Sequence, residues 1–97
     1  MKVIAEEPWA WMLFSNEDGA LYLTAMCGTV GLYSVDLQLS DSEAADFLAI
    51  GRSAIEAMAR DVSYQSSKYQ ARHIAGFHDL PGIKEAVSSW RSQRDEP

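Results

Sequence analysis

The stretch from Trp9 to Phe14 constrains the fold of this chain more than any other. Its six residues, WAWMLF, are all apolar, and an Asn-Glu-Asp-Gly segment separates them from a second apolar run, LYL, at residues 21–23. Apolar runs on either side of an Asp-Gly pair predict a β-hairpin. Because the first arm is apolar on both of its faces, we expect the hairpin to lie near the middle of a sheet.

A third strand is predicted by the clean alternation of residues 32–39, LYSVDLQL. In this pattern Asp36 points outward with its polar neighbours, while the apolar side chains Tyr33, Val35, Leu37 and Leu39 point inward. Gly28 and Gly31 mark the preceding turn. Residues 3–5 are a further short strand or a lead-in to the hairpin, and residues 69–74 are an edge strand or an irregular segment. The prediction is an antiparallel meander of three to four strands.

Two helices are expected after the sheet. Ser40 and Glu43 match a capping box, in which each side chain bonds the backbone amide of the other residue. Apolar residues then recur at helical spacing from 44 to 62, with Gly51 inside the stripe, where we expect it to permit close packing on an aromatic side chain. A short last helix is predicted with Asp79 as its cap and Pro81 in its first turn. The fold class is therefore α+β, a single domain over residues 1–97 with one long and one short helix.

The charge of the chain is −6, and it is unevenly distributed. The first fifty residues hold eight acidic side chains and one basic one, Lys2. An acidic half repels phosphate backbones, so we expect no direct nucleic-acid binding, and it attracts a basic protein surface; solubility is the alternative explanation of the charge. Glu6 and Glu7 interrupt the apolar N-terminus too early for a signal peptide, and no apolar run approaches a membrane span, so we expect a cytoplasmic protein.

The sequence predicts no enzymatic activity and no cofactor. Cys27, His73 and His78 show none of the spacings typical of metal sites, so no metal site is predicted. Residues 28–31 have two glycines but lack the lysine and helix start of a phosphate-binding loop. Cys27 is more simply explained as a small buried residue, and a lone cysteine favours a reducing compartment.

Aromatic side chains suggest a binding surface. Two helices can cover one face of the predicted sheet, so the other face needs a partner, either a second copy or a different protein. Trp and Tyr dominate the energetic centres of protein interfaces, although a place in the core is their commoner role. The predicted partner-binding residues, aromatics rimmed by acids, are Glu6, Glu7, Trp9, Trp11, Glu17, Asp18, Tyr22 and Asp36.

Residues 4–11 (IAEEPWAW), 18–23 (DGALYL) and 69–74 (YQARHI) resemble small bacterial immunity proteins of polymorphic and contact-dependent growth-inhibition toxin systems. The resemblance implies a non-enzymatic cytosolic protein that binds one cognate toxin domain, often a nuclease, and blocks it. We therefore expect a basic toxin domain as partner. The alternatives are a homodimeric structural or adaptor domain, and a small enzyme or ligand-binding domain with Tyr69, Arg72, His73 and His78 at its site.

Overall fold

The computed structural model of the protein describes residues 1–28 and 33–95. Four antiparallel strands form one sheet in the order of the sequence. They are β1 (Lys2–Glu7), β2 (Trp11–Ser15), β3 (Leu21–Cys27) and β4 (Tyr33–Gln38). The α+β class and the meander are confirmed, and residues 3–5 belong to a full strand. The turn predicted at Gly28 and Gly31 lies largely outside the described residues, as does Leu32.

The predicted hairpin is present as β2 and β3, with Leu13 opposite Leu23. Its turn is held by the side chain of Asn16, whose Oδ1 accepts hydrogen bonds from the backbone amides of Asp18 and Ala20 at 3.0 and 2.9 Å. Gly19 adopts a φ of 85°, which a residue with a Cβ rarely adopts. Local turn chemistry therefore sets the register of the central strands.

Four α-helices lie in the described part of the chain: α1 (Asp41–Ile50), α2 (Arg52–Tyr64), α3 (Ser66–Tyr69) and α4 (Ile83–Asp95). The capping box is confirmed, since Ser40 Oγ accepts from the Glu43 amide and Glu43 Oε1 accepts from the Ser40 amide. The long helix predicted through Gly51 is wrong. Gly51 has a φ of 92° and ends α1, and a Cβ there would meet nothing within 4 Å, so backbone conformation explains this glycine and close packing does not.

Residues 66–72 form α3 and a 3₁₀ turn (Gln70–Arg72), so of the two alternatives given for residues 69–74 the edge strand is wrong. The buried ring of Tyr69 joins the core formed with α2, which holds this segment in a helical turn. The outer edge of β4 is closed locally instead. The Ile74 amide donates to the Asp36 carbonyl at 2.7 Å, and His73 Nδ1 accepts from the Asp36 amide at 3.0 Å.

Both faces of the sheet are covered by the chain itself. Side chains of α1, α2 and Tyr69 pack on one face, which we call the α2 face. Phe77, from a 3₁₀ turn (Phe77–Asp79), packs with Ile83 and Ala86 of α4 on the other, the α4 face. The expectation of a bare sheet face is therefore wrong. Asp79 lies in the 3₁₀ turn, so the last helix begins at Ile83 and not at the predicted cap.

None of the helices described is long and apolar enough to span a membrane.

Candidate interaction surface

Trp9 is the most exposed large apolar side chain of the described residues, at 96% of its full accessibility. It lies in the turn between β1 and β2, where the Ala10 amide donates to the Glu7 carbonyl at 3.0 Å. Pro8 holds the second position of this turn and Trp9 the third, with a φ of 68°. This is the pattern of a type II turn, which favours glycine at its third position. A bulky aromatic therefore occupies a strained backbone position without any burial in return.

Two grooves lie on either side of Trp9, and its side chain lines both of them. The groove on the α4 face has a volume of about 330 Å³ and is lined chiefly by the apolar side chains Met12, Met26 and Val87. The groove on the α2 side has a volume of about 450 Å³ and includes Tyr64, which is 85% exposed. An exposed tryptophan beside apolar concavities is the arrangement that protein-binding surfaces use at their centres.

Charges around Trp9 are balanced and do not form the acidic rim predicted from the sequence. Glu7 pairs with Arg52 at 2.7 Å, and Arg52 also pairs with Glu56 at 3.0 Å. Glu6 accepts a hydrogen bond from Trp90 Nε1 at 2.9 Å. Arg60 and Arg91 line the two grooves, so three arginines offset three acids at this end of the sheet. The sequence did not reveal this balance because the arginines come from α2 and α4.

The eight predicted partner-binding residues do not form one surface. Glu6, Glu7 and Trp9 lie at the end of the sheet that carries the β1–β2 turn. Glu17 and Asp18 lie in the β2–β3 turn, at the opposite end of β2. The remaining three, which are mostly or partly buried, are Trp11, Tyr22 and Asp36.

Trp11 belongs to the core, where it is 5% exposed and the Arg52 guanidinium lies 4.8 Å from the centre of its ring. Tyr22 lies on the opposite face of the sheet and packs on Phe77, with 5.8 Å between the ring centres. The two tryptophans of the stretch thus differ completely in exposure. The residue that carries the candidate surface is Trp9.

The prediction that Asp36 points outward into solvent is wrong. Residues on the α4 face cover it, and it is only 3% exposed. Its carboxylate accepts a hydrogen bond from Thr24 Oγ1 at 2.9 Å and from Ser34 Oγ at 3.3 Å, and lies 3.2 Å from His78 Nε2. Ser34 Oγ is 3.5 Å from that same nitrogen. A serine–histidine–aspartate relay needs one ring nitrogen on the carboxylate and the other on the hydroxyl. Here the carboxylate and the hydroxyl both lie near Nε2 of His78. The arrangement therefore holds the 3₁₀ turn at Phe77–Asp79 in place and does not activate Ser34 as a nucleophile.

The other polar side chains suggested as a ligand site hold the fold together. Arg72 binds Glu43 through two hydrogen bonds, and Tyr69 donates its hydroxyl proton to Asp61. Burial and the Asp61 hydrogen bond raise the pKa of Tyr69 to about 12, and the same hydrogen bond lowers the pKa of Asp61. No group of three or more candidate metal ligands occurs within residues 1–28 and 33–95.

Cys27 is buried, at 1% exposure, and its Sγ lies near the carbonyl oxygens of Ala25 and Val62. Burial raises the pKa of its thiol, which keeps the group protonated and unreactive at neutral pH. Its place in the core agrees with the explanation of Cys27 as a small apolar residue.

Comparison of the chain with protein families, with curated proteins and with solved structures found no match.

Proposed function

We propose that this protein acts by binding another protein, as an immunity protein that neutralises a toxin domain, and that Trp9 is the central contact. The carrying observation is Trp9 itself: it is 96% exposed, and its φ is 68°. An exposed, strained aromatic gives the isolated chain no packing energy. Residues held in sparsely populated backbone regions cluster at functional sites.

The energetics favour a role for Trp9 in binding. A left-handed backbone costs a residue with a Cβ about 1–2 kcal/mol, which a glycine at the same position would avoid. A tryptophan buries roughly 150–250 Å² at an interface, which at about 25 cal/mol/Å² yields roughly 4–6 kcal/mol before the costs of association. The gain on binding therefore exceeds the strain by a wide margin. The flanking grooves supply concave apolar surface for side chains of the partner.

The toxin class of the partner rests on the resemblance and on the charge of the chain. A net charge of −6 attracts basic proteins over distances comparable to the screening length, and so raises the rate of encounter with a phosphate-binding toxin. Glu17 and Asp18 contribute to this field from the far end of the sheet. Near Trp9, Glu7 and Glu56 are paired with Arg52 and Glu6 accepts a hydrogen bond from Trp90, so these acids favour specific contacts over general attraction.

A homodimer is the second candidate, and the charge balance around Trp9 favours it. A surface with equal numbers of acids and arginines, a protruding aromatic and an adjacent groove can be complementary to itself across a two-fold axis. Sedimentation velocity separates the candidates: a dimer that Trp9→Ala converts to monomer at micromolar concentration favours self-association.

Growth protection tests the proposed function. We propose that the neighbouring gene encodes the toxin domain, and the test induces that domain with or without this protein in the same cells. We expect wild-type protein and the Asp18→Asn control to restore growth, and Trp9→Ala to protect less at equal soluble expression. Failure of the wild-type protein to protect, or to form a complex with that domain at micromolar concentration, would contradict the proposal.

A further inference from the structure

The groove on the α4 face beside Trp9 has the size and the lining of a small-molecule site. Its volume of about 330 Å³ lies at the lower end of the range of ligand pockets, roughly 300–1,000 Å³. Its walls combine the indole of Trp9 with the side chains of Met12, Met26 and Val87. Ligand pockets are typically apolar, with a few polar groups that fix the orientation of the ligand. The groove therefore offers space and apolar surface for a small ligand.

The apolar side chains of the groove favour a ligand with an aromatic ring. Thioether sulfur atoms make favourable contacts with aromatic rings, and flexible methionine side chains adapt to the shape of a ring. Trp9 adds an indole against which a second ring can stack or pack edge-on. Its side chain is 96% exposed, so a ligand ring can contact it without displacing a packed neighbour. A ring therefore gains contacts in this groove that an aliphatic group of equal size does not gain.

Arg91 of α4 supplies the polar contact. Its side chain lines the groove and makes no hydrogen bond or ion pair with another residue of the described part of the chain. The carboxyl, hydroxyl and imidazole groups of the lining each have a partner inside the protein: Glu6 with Trp90, Glu7 with Arg52, and Thr24 and His78 with Asp36. A guanidinium binds a carboxylate through two parallel hydrogen bonds. The donor that is available in this groove therefore matches a carboxylate.

We propose that this groove binds a small aromatic carboxylate, with its ring against Trp9 and the methionines and its carboxylate on Arg91. The net charge of −6 opposes an anion at long range, but salt screens exposed charges beyond about 8 Å at physiological ionic strength. Contact with Arg91 therefore decides the affinity. The inference does not rest on the proposed toxin partner, because the ligand needs only this chain. A bound ligand would cover part of the Trp9 surface and compete with a protein that docks there.

The test compares two probes that share a ring system and carry opposite charges, naphthoate and naphthylmethylammonium. Each is titrated into the isotope-labelled protein at physiological salt, and the shifts of the backbone amide signals report affinity and location. We expect naphthoate to bind saturably below about 1 mM, and the ammonium probe to bind at least about tenfold more weakly, because only the carboxylate pairs with Arg91. The shifts should centre on Met26 and Val87 and leave the β2–β3 turn unchanged.

Arg91→Gln tests the carboxylate contact. Arg91 is exposed, so the variant should fold as the wild type does. We expect it to weaken naphthoate binding at least about tenfold and to bind the ammonium probe no more weakly than the wild type. The matched control is Lys84→Gln, which removes one positive charge from the same helix outside the groove and should bind naphthoate as the wild type does.

Two aromatic substitutions test the position of the ring. Trp9→Ala removes one wall of the groove and should weaken both probes at least about threefold, because an aromatic contact is lost. Tyr64→Ala removes an exposed aromatic that lines only the groove on the α2 side, and it should leave the binding of both probes unchanged.

Equal binding of the two probes would overturn the inference, as would equal losses with Arg91→Gln and Lys84→Gln. Shifts centred outside the groove would also overturn it, and so would naphthoate binding that does not saturate below about 1 mM. In each of these cases Trp9 can still contact a protein, so the growth-protection test of the proposed function has a separate outcome.

Discussion

Arg72 ties three parts of the structure together, and its removal tests how α1 is held. Its guanidinium donates to both carboxylate oxygens of Glu43, at 2.9 and 2.6 Å, and to the carbonyl of Gln38 at the end of β4, at 2.8 Å. Glu43 at the same time accepts from the Ser40 amide at 2.7 Å. The carboxylate that caps α1 therefore also anchors the segment after α3.

The expected loss for Arg72→Ala is about 2 kcal/mol in the free energy of unfolding. Hydrogen bonds to charged groups contribute about 1.5–3 kcal/mol when well protected. The side chains of Arg72 and Glu43 are 36% and 25% exposed, so water screens part of each. Arg72→Lys keeps the charge but loses the paired hydrogen bonds that the guanidinium makes to the Glu43 carboxylate. It should lower the free energy of unfolding by about 1 kcal/mol. Glu43→Gln is the matched partner, because glutamine can still close the capping box.

Urea denaturation of the wild type, Arg72→Ala, Glu43→Gln and the variant with both substitutions gives a thermodynamic cycle. We expect a coupling energy of about 1 kcal/mol between Arg72 and Glu43 at pH 7. The Arg72 hydrogen bonds lower the pKa of Glu43. The stabilisation is therefore complete above the unfolded pKa, about 4.3, and is lost as the pH falls through the lower folded pKa. A coupling near zero at pH 7, or one unchanged at pH 3, would refute this reasoning.

Three further predictions concern single residues. Trp9→Gly should leave the free energy of unfolding within about 1 kcal/mol of wild type, because relief of backbone strain offsets the entropy cost of glycine. Trp11→Ala should lower the free energy of unfolding by about 3–5 kcal/mol, because it removes a core side chain. Urea denaturation compares the two variants, and a larger loss at Trp9 would show that its side chain is packed. Gly51→Ala should cost about 1–3 kcal/mol by the same measurement, because φ is 92° and ψ is −150° there; unchanged stability would mean that α1 and α2 can join. Cys27 should react with a thiol reagent at pH 8 only in denaturant, given its burial and raised pKa; rapid labelling of the native protein would contradict its buried position.

The parts of the fold that depend on neighbouring residues could be predicted from the sequence. The Asp18-Gly19 turn fixes the β2–β3 hairpin through short-range hydrogen bonds. The capping box at Ser40 and Glu43 is equally local. These signals needed no knowledge of distant packing, since each involves residues at most four positions apart.

The cover of the second sheet face could not be predicted in the same way. Phe77 lies in a short 3₁₀ turn with no periodic pattern, yet it is 1% exposed and packs edge-on against Phe14, with 5.3 Å between the ring centres. Its burial follows from the position of the turn over the sheet. The burial of Asp36 has the same origin, because His78 from that turn reaches its carboxylate.

The candidate surface was predicted only in part. The sequence predicted a binding surface that includes both Trp9 and Trp11. The two residues are separated by a single position, so strand alternation alone places them on the same face. The difference arises at Pro8, which begins a turn and takes Trp9 out of the strand. The arginines that balance Glu6 and Glu7 come from helices far along the chain. Long-range pairing of this kind leaves no trace in local sequence.

The central claim is that Trp9 anchors a protein partner. Calorimetric titration of the toxin domain that we propose as the partner with wild type, Trp9→Ala and Asp18→Asn tests it most directly. We predict that Trp9→Ala raises Kd by at least about thirtyfold, equivalent to about 2 kcal/mol for a central aromatic, with Asp18→Asn within about twofold of wild type. Equal affinity of wild type and Trp9→Ala would contradict the account.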